Sequence, residues 1–110
     1  MIMFKSYTDL EQYLKDHTDL CMVRRYLACQ VKEEATFLVK SKGKITKEEK
    51  AKATAECTRE AQEDYLEDIN YYLTGDCPEI TPMSVMGYRR KIHAWSVAGE
   101  IKHYKKSLEG

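Results

Sequence analysis

The side chains equipped for chemistry in this 110-residue chain are three histidines, His17, His93 and His103, four cysteines, Cys21, Cys29, Cys57 and Cys77, and a carboxylate run of Glu56, Glu60, Glu63, Asp64, Glu67 and Asp68. Imidazole beside thiol serves a cysteine nucleophile or half a zinc site, and His17 and Cys21, four residues apart, would face the same way if the first two helices were continuous. A tetrahedral zinc needs about four ligands, and no second pair at metal spacing accompanies that one. The carboxylates recur at i, i+3 and i+4, as in di-metal sites of helical bundles, but no Glu-x-x-His histidine accompanies the run. GxxxxGK[ST], GxGxxG and HExxH are all missing, so phosphate cradles and metalloprotease helices have no anchor. We therefore expect no catalytic residue, no metal and no cofactor, with the acidic run a solvated face.

The composition agrees with that reading. Apolar residues make up 43% of the chain, 18 Lys and Arg balance 18 Asp and Glu, and there are only two prolines, which describes one compact domain over residues 1–110. A two-domain enzyme needs more chain, and a disordered charged tail needs fewer apolar residues. No cysteines form CxxC, and the apolar start Met1-Ile2-Met3-Phe4 before Lys5 is too short for a signal h-region or a membrane span. The expectation is a cytoplasmic protein with reduced thiols and no membrane contact.

Helix signals dominate the elements that must carry these residues. Thr8 with Glu11 reads as a capping box opening a short helix that ends near His17. A second helix starts at Thr18 or Asp19 and carries Leu20, Val23, Leu27, Val31, Ala35 and Leu38, six positions across 18 residues in five steps, which is the 3.6 period. Lysines around Gly43 mark its end, with glycine suited to a left-handed position. Thr46 and Glu49 form another capping box for a third helix running to Leu73, stopped at Gly75. Its early half holds Ala51, Ala53, Ala55 and Ala61, a face that projects beyond the core, packs closely on a neighbour, or forms a homodimer contact. After the break Gly75-Asp76-Cys77-Pro78, Thr81-Pro82 opens a last helix to about Leu108. That helix carries two stripes, Val85, Tyr88, Ile92 and Trp95, then Val97, Ile101, Tyr104 and Leu108, offset by a little over one residue. Either it bends near Gly99 or it is contacted on two faces. The fold expected is all-α, a small antiparallel helical bundle of three long helices plus a short N-terminal one. Its core would be built from Leu10, Leu14, Leu20, Val23, Leu27, Val31, Leu38, Leu66, Ile69, Leu73, Val85, Ile92 and Trp95.

The charge balance conceals opposed blocks. Residues 44–80 hold five Lys or Arg against ten Asp or Glu, a net of −5, whereas residues 81–110 hold six against two, a net of +4. Arg89, Arg90, Lys91, Lys102, Lys105 and Lys106 are the candidate nucleic-acid contacts, since clustered cations release counterions from phosphate. The string from Ile80 to Arg90 resembles the turn and recognition helix of helix-turn-helix proteins, which implies DNA binding by that helix. The resemblance covers about a tenth of the chain, and the turn is longer than in that family, with Pro78 inside it.

The reading we favour is a non-enzymatic adaptor or regulator that binds another protein, with DNA or RNA binding through the basic helix as the alternative. Its candidate contacts are Tyr71, Tyr72, Tyr88, Trp95 and Tyr104, residue types enriched at interface hot spots, with Glu60, Asp64 and Glu67 on the acidic helix. Small helical proteins of this kind include inhibitors and accessory factors of phages and mobile elements, an expectation that rests on fold-level analogy.

Overall fold

The computed structural model describes residues 3–75 and 85–109. Among the described residues there are four α-helices: α1 (Tyr7–Asp16), α2 (Cys21–Lys40) after a 3-10 turn at Thr18–Leu20, α3 (Lys47–Thr74) and α4 (Val85–Glu109). Among the described residues there is no strand. No helix among them is long and apolar enough to cross a membrane.

Local chemistry sets most boundaries. At α1 the cap is Ser6, whose hydroxyl accepts from the Asp9 amide at 3.1 Å; Thr8 is already inside the helix, so the capping box expected there is displaced by two residues. At α3 the expected cap is present: the Thr46 hydroxyl accepts from the Glu49 amide at 3.2 Å and donates to the Glu49 carboxylate at 3.0 Å. Gly43, at φ 81°, supplies the left-handed turn after α2. Gly75 closes α3, its amide donating to the Tyr71 carbonyl at 3.0 Å. The expected turn at Pro78 and cap at Thr81-Pro82 lie outside the described residues.

The helices pack as a small bundle in which α2 touches each of the other three. It returns against α3 after the 41–46 connection, and it runs antiparallel to α4, as the cross-pairs Tyr26 with His93, Glu33 with Arg89 and Glu34 with Arg90 show. The core holds Leu10 and Leu14 of α1, Leu20, Leu27, Val31, Ala35 and Val39 around α2, Tyr65, Ile69 and Tyr72 of α3, and Ala94, Val97, Ala98 and Ile101 of α4. In the alanine half of α3, Ala53 and Ala61 are buried with Cys57 while Ala51 and Ala55 stay exposed. Small side chains thus let a neighbour close on one face of that half, which leaves less of it for a homodimer contact.

The core expected on α4 needs correction. Helix α4 continues through Gly87 and Gly99 without a break, so the two stripes do lie on different faces. The inward face is Ala94, Val97, Ala98 and Ile101; Trp95 is 52% exposed, and Leu108 is also on the surface. With Ala94 and Ala98 on the buried face, the 100° step per residue turns Trp95 outward. Val23, Leu38, Leu66, Leu73 and Ile92 are half-buried at the edge, and the side chain of Val85 lies outside the described residues.

One tie that hydrophobic patterning does not announce fixes the N-terminal segment. Buried Asn70 accepts from the Phe4 amide at 3.0 Å and donates to the Phe4 carbonyl at 2.9 Å. Both polar groups are satisfied, and Phe4 is held in the core.

Candidate functional site

The seam between α2 and α4 concentrates the charged and aromatic side chains. Near the start of α4, Arg90 enters the bundle and takes three carboxylates at once. Its guanidinium donates to Glu34 of α2 at 2.8 Å and to Asp68 of α3 at 2.9 Å, with Asp64 at 3.6 Å. Glu34 is 2% exposed, and its second oxygen, Oε2, has no hydrogen-bond partner. Burial pushes the Glu34 carboxyl above its ordinary value despite Arg90, because one cation is shared with Asp64 and Asp68, which push the same way. Asp64 is raised as well, chiefly by burial. At Arg90 burial opposes the charge, and the Glu34 and Asp68 carboxylates more than offset it, so the guanidinium stays charged. Arg89, one residue away, makes only a surface pair with Glu33 at 2.9 Å.

Further along the seam the phenol of Tyr26 bonds His93 Nδ1. Burial, then Arg89, holds His93 below the usual imidazole value, while burial raises Tyr26. Beside this pair opens a groove of about 840 Å³ between Asp19, Met22, Val23 and Tyr26 on one side and Trp95, Ser96, Gly99 and Glu100 on the other. Met22 is 65% exposed, and Tyr26 and Trp95 also face solvent. Gly99 leaves the groove open, since a Cβ built there meets nothing within 4 Å.

The expected interface residues scatter. Trp95 and Tyr88 project from α4; Tyr71 is exposed at the end of α3, whereas its neighbour Tyr72 lies in the core, as adjacent helical positions require. Tyr104 is half-buried against His17, which in turn meets Tyr13 edge to face. Glu60 and Glu67 are exposed, while Asp64 turns toward Arg90. Met22 and Tyr26 were missed. Their signal was a second stripe on α2, Met22, Tyr26 and Phe37, four and eleven residues apart, overshadowed by the leucine stripe opposite.

Among the candidate nucleic-acid contacts, Arg89 and Arg90 are committed to Glu33, Glu34 and Asp68. Lys91 is half-buried, Lys105 donates to the Met3 sulfur at 3.5 Å, and Lys102 and Lys106 are exposed. The acidic and basic blocks therefore pack together where Arg90 meets Asp64 and Asp68. His17 and Cys21 do not share a helical face, because the chain is extended at His17 and then turns through Thr18–Leu20. Cys21, Cys29 and Cys57 are free thiols. Among the described residues no group of three or more His, Cys, Asp or Glu is placed to hold a metal ion.

In comparisons with known proteins, the chain matches no family model, no curated protein and no solved structure.

Proposed function

We propose that this protein is a non-enzymatic adaptor or regulator that binds another protein through the face where α2 meets α4. The observation that supports it is the exposure of Met22, Tyr26 and Trp95 around one groove while alanines fill the core face of α4. An aromatic buries about 150–250 Å² when covered; half of that at ~25 cal/mol per Å² leaves roughly 2–3 kcal/mol at Trp95 that folding does not use and docking can. Tryptophan and tyrosine are also the types most enriched among interface residues that dominate affinity. Free thiols at Cys21, Cys29 and Cys57 suit a cytoplasmic setting.

Affinity capture from native lysate, with and without nuclease, tests the reading. A protein retained by the native chain after nuclease treatment and lost with Met22→Ser plus Trp95→Ser is the expected result. Retention that nuclease abolishes, or that the double variant leaves unchanged, contradicts it.

A further inference from the structure

The groove is charged with one sign. Its lining includes two ionisable carboxylates, Asp19 and Glu100, both exposed and neither in an ion pair among the described residues. The arginines that α4 brings to the same seam, Arg89 and Arg90, are already engaged by Glu33, Glu34 and Asp68, so they do not neutralise it. Asp19 and Glu100 lie at the same end of the antiparallel α2–α4 seam, and Met22, Val23, Tyr26 and Trp95 give the groove an apolar lining with an indole. From Asp19 in the 3-10 turn the groove runs on to Tyr26, following α2 from Met22 for roughly 6 Å at about 1.5 Å per residue. Gly99 keeps the α4 side low at no benefit to internal packing, since an added Cβ would touch nothing. A helical glycine carries a cost relative to alanine that packing commonly justifies, and here the space it leaves opens to the groove.

We infer that the groove receives an amphipathic, basic helix of a partner protein. This deepens the protein-binding reading above and rests on it. An aliphatic anchor of the partner seats between Met22, Val23 and Tyr26. Lysine or arginine one turn away pairs with Asp19 or Glu100, and a cation reaching the Trp95 indole gains a further attraction from the ring face. Met22 adapts to the anchor's shape through its flexible thioether chain.

Trp95 is the only tryptophan in the chain, so its emission reports occupancy of the groove directly. The probes are three synthetic helical peptides with leucines at i, i+4 and i+7 and lysine, glutamine or glutamate at the remaining positions. The lysine peptide is expected to shift Trp95 emission saturably, at least tenfold more tightly than the glutamine peptide, and Asp19→Asn plus Glu100→Gln removes that tenfold advantage. Both substitutions are at exposed positions, and an unchanged melting curve verifies the fold. If the glutamine or glutamate peptide binds as well as the lysine peptide, the groove docks helices but the basic assignment is overturned. If none shifts Trp95, helix docking is overturned, while lysate capture still judges partner binding at this face separately. Concentration-dependent dimerisation in sedimentation that Met22→Ser abolishes assigns the groove to a second copy and overturns the inference.

Discussion

Arg90 and Glu34 meet 2.8 Å apart although 56 residues separate them, and the carboxylate is almost wholly buried while the guanidinium is 23% exposed. This pair ties α4 to α2, with Asp68 tying it to α3. Arg90→Ala leaves Glu34, Asp64 and Asp68 facing one another without a cation, and should cost about 3–5 kcal/mol. Arg89→Ala removes a pair whose side chains are 53% and 48% exposed and should cost ~0–1 kcal/mol. Chemical denaturation of the two single variants checks the contrast; equal losses would show that Arg90 has no special place.

The raised Glu34 carboxyl gives a signed pH effect. The folded state holds the Glu34 proton more readily than the unfolded chain, so folding takes up a proton between the ordinary and the raised value. Its contribution to stability is therefore most favourable below the ordinary value and is lost as pH rises through the raised one. The melting temperature of the native chain relative to Glu34→Gln should increase as pH falls from 7 to about 4. A gap that stays constant, or moves the other way, contradicts burial as the dominant influence on this group.

Leu27 and Ile69 are buried on facing helices of the bundle, and each truncation to alanine removes a filled core position. Leu27→Ala and Ile69→Ala should each cost ~2–5 kcal/mol. Thermal melting reads this directly, and no loss for either refutes the packing described for α2 and α3.

At Gly99 the side-chain space is empty, so Gly99→Ala should stabilise the helix by about 0.5–1 kcal/mol, a rise of a few degrees in melting temperature. Gly99→Leu should still fold but fill the groove and weaken partner binding. Destabilisation by alanine would show that the glycine serves internal packing after all.

Much of the bundle was legible because its signals are local. Thr46 with Glu49, Gly43 and Gly75 each act within a few residues, and the Leu20 to Leu38 period needs only the helix repeat. Glu34 was not legible: a glutamate reads as surface until Arg90 arrives from another helix. Trp95 misled for a related reason. Its size suggests a core anchor, yet Ala94 and Ala98, weak in hydrophobic signal, occupy the inward face, and which stripe faces inward depends on how near α4 approaches its neighbours. Of the candidate site, Trp95 was legible as an aromatic, but its company with Met22 and Tyr26 required the α2–α4 pairing.

Protein binding at the α2–α4 face can be read by photo-crosslinking in the cells that make the chain, with benzoylphenylalanine in place of Met22 and, as a control, in place of the exposed Ala55 on α3. A discrete protein adduct is expected from position 22 that position 55 does not give. Adducts of equal yield from both positions, or only nucleic acid attached at position 22, would contradict it.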